Sequence, residues 1–259
     1  MKRLIINADD FGLSEGVNRG ITDSILKGVV CSTSVMSCDS ESLRGGAAWV
    51  AQLRNRVGIH LQLTEGTPCA EAGLVRSLLS TEGRFPRWPR DIQNPNRQEI
   101  LLEWHAQVNR VLECGLVPTH VDTHHHVHTL PIVFDAYCEI ARSYGLPART
   151  RDAAMTGRLR SAGVRCADLC EVRWFKKHLS VRGLTRLIDS DFKMLGEHGT
   201  LELMCHPGYV DSELRRRSTY AEERETELAA LCDPNLASHF KREGIVLVDR
   251  ATDKEAEWW

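Results

Sequence analysis

No apolar run in this 259-residue chain approaches the ~20 residues that a membrane-spanning helix needs. The opening MKRLIINADD is charged from the start and soon reaches an aspartate pair, so it lacks the long apolar centre of a secretory signal. The nine cysteines include no C-x-x-C pair, and an odd number spaced this loosely fits reduced thiols in a cytoplasmic protein. Cys166 and Cys170 read as core filler. A net charge of -2 gives no electrostatic case for nucleic acid or an anionic membrane. Internal repeats, low-complexity tracts and composition breaks are also missing. With 42% apolar and 26% charged residues the composition is that of an ordinary globular protein. These absences leave a soluble, intracellular protein whose residues 1–259 form a single domain.

What the chain does have is histidine in one place. Thr119 to Thr129 holds five of the eleven histidines, with Asp122 among them. Neutral imidazole is the commonest metal ligand and the side chain that titrates nearest pH 7, so such a cluster points to metal binding or proton transfer. Pro118 and Pro131 bracket the run and argue against a helix through both ends, while the valines and threonines favour a strand. Read as a strand, His120, Asp122, His124, His126 and His128 share one face. Residues four apart then lie roughly 13 Å apart at about 3.3 Å per residue. Two nitrogens on a tetrahedral ion with bonds of roughly 2.1 Å are only about 3.4 Å apart. His120 and His124 therefore do not share an ion while the segment stays extended, and further ligands must come from other segments. A His-rich loop or weak surface tract is the plain alternative.

The remaining chain alternates strand and helix signals. Leu4–Ile6 reads as a strand, followed by a helix capped by Ser14 and closed by Gly28. Val29–Met36 and Val57–Leu63 read as strands, with a helix at Ser42–Leu53 between them. The stretch 64–96 is a long polar insertion, and loops of that length are usually functional. Helices are expected at Ile100–Leu112, Ile132–Tyr144, Leu184–Leu195 and Glu222–Leu231. Strands are expected at Leu146–Thr150, Thr200–Cys205 and Ile245–Val248. Residues 151–177 are hard to read, and their arginines fit a solvated face. This alternation predicts an α/β fold, a single-domain distorted (β/α) barrel of mainly parallel strands.

In such barrels the chemistry sits at the carboxyl ends of the strands. Asp9 and Asp10 follow the first strand, His60 lies late in the third, His124 lies in or just past the histidine strand, and His206 follows Cys205. Each has a dull reading: a satisfied core histidine, a helix-favouring aspartate pair, a Pro-Gly turn. Their coincidence favours a functional site, and one aspartate with two histidines suits zinc or another divalent first-row metal.

The motifs Asn7-Ala-Asp-Asp-Phe-Gly12, Gly58-Ile-His60-Leu, Pro118 through His128, and Glu202-Leu-Met-Cys-His-Pro-Gly208 together resemble those of the YdjC-like carbohydrate deacetylases, the chitooligosaccharide deacetylase family. The resemblance spans nearly the whole chain. It implies a metal-dependent hydrolase that removes acetyl from N-acetylated sugars or oligosaccharides. It also implies one divalent ion, zinc or magnesium, held by Asp10, His60 and His124, with Asp9 as catalytic base. It leaves room for a homodimer.

The chemistry of amide hydrolysis agrees with this set. A divalent ion activates water and polarises the acyl oxygen. A carboxylate off the metal, Asp9, takes the proton, and His206 can donate one to the departing amine. His126 and His128 are alternative donors, ligand-orienting residues or substrate contacts, and His125 is the weakest candidate. Adjacent residues in an extended segment point opposite ways, so Asp9 and Asp10 are not expected to act as an equivalent pair. Phe85 and Trp88 in the insertion would form a wall for a sugar ring. Three other functions compete. A phosphoesterase lacks a Gly-rich phosphate loop here. A glycoside hydrolase would use two carboxylates, nominally Asp9 and Asp122. A non-catalytic metal- or sugar-binding protein would show no chelator-sensitive turnover.

Overall fold

The computed structural model describes residues 1–38, 53 and 55–249. Among the described residues seven strands lie parallel in one curled sheet: β1 (Lys2–Phe11), β2 (Ser32–Met36), β3 (Val57–Leu61), β4 (Val121–Thr123), β5 (Leu169–Glu171), β6 (Thr200–Cys205) and β7 (Ile245–Leu247). The order is β4-β3-β2-β1-β6-β5, and β7 pairs with the start of β1. Its two edges approach each other through residues 147–149. Val121 donates to the Pro147 carbonyl, Arg149 to that of Val121, and Ala148 to that of Arg165, just ahead of β5. The distorted barrel expected from the alternation is the fold observed. The expected strand Leu146–Thr150 is reduced to an isolated bridge between Val121 and Ala148.

Helices pack outside the sheet: α1 (Glu15–Lys27), α2 (Arg97–Glu113), α3 (Pro131–Ser143), α4 (Ala153–Ser161), α5 (Val181–Leu195), α6 (Ser212–Arg217), α7 (Glu222–Leu231) and α8 (Pro234–Arg242). Ser14 caps α1 as expected, accepting from Val17 N. The helix expected at Ser42–Leu53 lies, apart from Leu53, outside the described residues. No described helix is long and apolar enough to cross a membrane.

Strand parity divides the interior in two. Leu4, Ile6 and Ala8 of β1, Ile59 and Leu61 of β3, and Leu201 and Leu203 of β6 join the apolar core beneath the helices. The opposite parity carries, beside Ile5 and Met204, a set of equally buried polar residues: Asn7 and Asp9, Ser32 and Ser34, His60, Asp122 and Glu202. The inside of the curl is thus a charged chamber. Gly58 belongs to it because a side chain there would strike the His120 ring at 2.4–2.5 Å. Gly20 on α1 is likewise forced, since a Cβ would meet the Gly208 backbone at 2.5 Å, and this contact seats the turn after β6.

The histidine run departs from a continuous strand. β4 stops at Thr123, and His124–Thr129 turns tightly across a kink, with His125 and His126 in the left-handed region at φ 53° and 52°. The predicted single face of five residues does not form. β1 also runs further than predicted, so Asp9 and Asp10 lie inside it, and its pairing with β2 shifts register between Ala8 and Phe11. Asp10 takes φ 70° at this irregularity.

Candidate active site

The carboxyl ends of the strands open into a cavity of about 440 Å³, lined among others by Asp9, Asp10, His60, His124, His126 and His206. The left-handed turn at Asp10 changes the alternation expected of neighbours in a strand. Asp9 and Asp10 both line the cavity, yet they meet different partners.

Asp10 Oδ1 lies 3.1 Å from His124 Nδ1 and 3.3 Å from His60 Nε2. The two imidazole nitrogens are 3.3 Å apart. Ligand atoms on a tetrahedral ion with bonds of about 2.1 Å sit about 3.4 Å from one another, so the three atoms have the spacing of a shared cation. The chemistry of the donors fits as well. Burial alone would lower the His60 pKa, but Asp122 and Asp10 outweigh it and raise the group to about 10. His124 is raised against burial by Asp10 and Glu65. A pocket that draws protons onto both rings is one that favours positive charge. The other Asp10 oxygen accepts from Arg224 Nη2 at 2.7 Å.

Register explains the support behind His60. His60 and Asp122 are paired neighbours on β3 and β4. Asp122 Oδ1 lies 2.7 Å from His60 Nδ1, and its Oδ2 accepts from Ser34 at 2.9 Å. Asp9 faces the other way. Arg149 donates to Asp9 Oδ2 and Oδ1 at 2.6 and 2.7 Å, and Asn7 donates to Oδ1 at 2.8 Å. Arg149 also contacts Asp122 at 2.8 Å and Glu202 at 2.7 Å. Burial raises the Asp9 pKa, but the guanidinium overrides it and holds the carboxyl well below the usual range. Asp9 is ionised at any working pH.

His206 lies on the cavity wall, with its ring 5.6 Å from that of Phe175 and 5.8 Å from that of Tyr220. Its Nδ1 is buried with no hydrogen-bond partner among the described residues. Burial lowers its pKa to about 4, so the resting imidazole is neutral at pH 7. His126 also lines the cavity. His128 does not: it is buried behind the wall, with Nδ1 2.6 Å from Thr123 Oγ1 and its ring stacked on Tyr137. Its side chain is wholly buried and presents no face to the cavity. His120 packs over Gly58 with Nδ1 2.9 Å from Thr119 Oγ1, and makes no part of the cluster of Asp10, His60 and His124. Trp88 of the insertion does line the cavity, whereas Phe85 is buried in the core and borders the neighbouring groove instead.

Residues 3–242 match the family described as YdjC-like protein. The chain belongs to the YdjC-like family. It is 37% identical over 244 residues to the carbohydrate deacetylase of Geobacillus stearothermophilus, covering 94% of this chain and 95% of that one. The carbohydrate deacetylase of Clostridium beijerinckii is 33% identical, with 95% and 98% covered. An Enterococcus faecalis crystal structure, provisionally described as a cellobiose-phosphate cleavage protein, superimposes with a TM-score of 0.88. It is 29% identical, with 97% and 98% of the two chains covered. A Streptococcus mutans CE4 esterase shares the fold at a TM-score of 0.54 and 12% identity, with 96% and 85% covered.

Arg149, Arg224 and Glu65 are the members of this YdjC-like site that the sequence reading missed. Arg149 stood in a segment read only as a short strand. Its signal was an arginine within an otherwise apolar stretch, since a buried guanidinium requires carboxylate partners.

Proposed function

We propose that this YdjC-like chain is a metal-dependent N-deacetylase of N-acetylated sugars, with chitooligosaccharide-type substrates. The observation that carries the reading is the meeting of Asp10 Oδ1, His60 Nε2 and His124 Nδ1 within 3.1–3.3 Å, beside the separately held carboxylate of Asp9. Asp10, His60 and His124 would hold one divalent cation, zinc or magnesium, which when bound supplies Lewis acidity toward water and an acyl oxygen.

The protein's own groups divide the rest of the work. Asp9, fixed and ionised by Arg149, accepts the proton of the attacking water. Its low basicity suits a water that a cation held by Asp10, His60 and His124 would acidify. His206 is neutral at rest, so it takes up a proton from solvent during turnover and passes it to the leaving amine, while the proton that Asp9 accepted from water returns to solvent. Negative charge growing on the acyl oxygen nearby favours that uptake. His126 and Trp88 line the cavity where the sugar would sit, and a volume of about 440 Å³ lies within the range of small-ligand pockets.

The test is to incubate the protein with the N-acetylated disaccharide of chitin and assay free acetate. Release that is abolished by a chelator and restored by zinc or magnesium is expected. Acetate release untouched by rigorous metal removal would overturn the metal-dependent reading. Failure to release acetate from any N-acetylated sugar would leave a binding protein.

A further inference from the structure

The rings of His60 and His124 are built alike. Each turns one nitrogen toward Asp10 and the other toward a second carboxylate. For His60 the second carboxylate is Asp122, wholly buried on the adjacent strand. For His124 it is Glu65, whose Oε2 lies 3.4 Å from Nε2. Glu65 comes from a different part of the fold, the first turn of the insertion that follows β3.

The insertion is clasped at its base. Glu65 N donates to the Pro86 carbonyl at 3.0 Å, and Phe85 N to that of Gly66 at 3.2 Å. Glu65 itself takes φ 58°, a conformation unfavourable for a residue with a side chain, which persists where its surroundings enforce it. The same clasp presents Trp88, which stacks on His125 with centroids 5.2 Å apart. His125 in turn stacks on His124 at 3.9 Å, and its Nδ1 is 3.1 Å from Thr64 Oγ1. His124 is thus held along its edge by Glu65 and on its face through His125 by Trp88.

We propose that Glu65 is a positioning residue for His124, and that the insertion 64–96 through it tunes the affinity of the divalent-cation site. This rests on the metal reading above. A carboxylate on the remote nitrogen of a ligating histidine fixes its tautomer and ring orientation and raises its basicity. Loss of such a partner typically costs 10–100-fold in metal affinity. Glu65 is suited to being tested because its side chain is 20% exposed, so replacing it does not open the core as replacing Asp122 would.

The experiment compares wild type, Glu65→Ala, Glu65→Gln and the control Glu213→Gln. Glu213 lines the neighbouring groove with Glu65 and carries the same charge, but makes no contact with His124. Zinc affinity is measured by competition with a chromophoric chelator, and ligand geometry by the visible spectrum of the cobalt-substituted protein. Glu65→Ala should bind zinc 10–100-fold more weakly with an altered cobalt spectrum. Glu65→Gln, which keeps an oxygen acceptor, should recover much of both, and Glu213→Gln should match wild type. Wild-type affinity and spectrum in Glu65→Ala would overturn the inference and leave the metal reading standing. Equal weakening in Glu213→Gln would replace positioning by bulk charge and also overturn it. A wild-type protein that holds no divalent cation would instead remove the metal reading itself.

Discussion

Arg149 grips both oxygens of Asp9, and neither side chain is more than marginally exposed. The same guanidinium touches Asp122 and Glu202, so one cation is shared among three carboxylates on three strands inside the curl. It joins the aspartate proposed as base to the aspartate that orients His60. Removing it would leave three buried carboxylates facing one another. Breaking a buried pair typically costs about 3–5 kcal/mol. Arg149→Met should therefore lose at least that much stability in urea denaturation, whether or not metal is present. A loss below about 1 kcal/mol would mean that water or rearranged protons replace the guanidinium easily.

Asp9→Asn should keep its metal and lose most turnover, since a general base typically contributes about 10²–10⁴-fold. The change also sets an amide against Arg149, and an imperfectly satisfied buried group costs about 1–3 kcal/mol. Denaturation measured alongside kinetics separates the two effects. Asp10→Asn should instead lose metal, and turnover with it. If the Asp9 variant loses metal while the Asp10 variant keeps it, the two roles are exchanged.

The alternating fold and the segments that bear the site were readable because they depend on local pattern. The period of β6 placed His206 at a strand end, and α7 occupies the residues expected of it. The geometry between neighbours was not readable. Alternation in β1 assumes extended backbone throughout, and φ 70° at Asp10 breaks it. The histidine run carried valines and threonines that favour a strand, but the strand ends at Thr123 and the chain turns at His125 and His126, while the pairing of β3 with β4 sets His124 beside His60. Arg149 and Glu65 gave little local signal, because their partners lie far away in sequence and only the closed sheet assembles them.

Glu227 offers a test by pH. It is buried on α7, where it accepts from the Tyr220 hydroxyl and the His206 backbone N–H. Burial raises its pKa to about 7 despite these bonds. The unfolded value is about 4.3, so the folded state holds this proton more tightly than the unfolded state does. The resulting stability is fully present below about pH 4 and is lost as pH rises through about 7. Glu227→Gln, which cannot titrate, should show a flatter fall in stability across that window. Parallel wild-type and variant curves from pH 4 to 8 would show that Glu227 does not titrate there.

His206 carries the last prediction. Its ring lies on the cavity wall against Phe175 and Tyr220, and the contact of Gly208 with α1 seats the turn that follows it. A donor to the departing amine matters most when the leaving group is a poor one. His206→Ala should therefore lower kcat on an N-acetyl substrate far more than on an activated acetate ester, with metal content nearly unchanged. The neutral resting state bears on the pH profile. With its pKa lowered to about 4 in the free protein, the imidazole has no proton to lose near neutrality. Its replacement should then leave the alkaline limb of kcat/KM in place, because that limb reports the free enzyme. Equal losses on amide and ester would assign His206 to positioning or oxyanion stabilisation. A fall in metal content would make it a ligand. No loss on either substrate would reduce it to a turn residue, and the donor role would pass to His126, the remaining histidine of the run that lines the cavity without converging on Asp10 or stacking under Trp88.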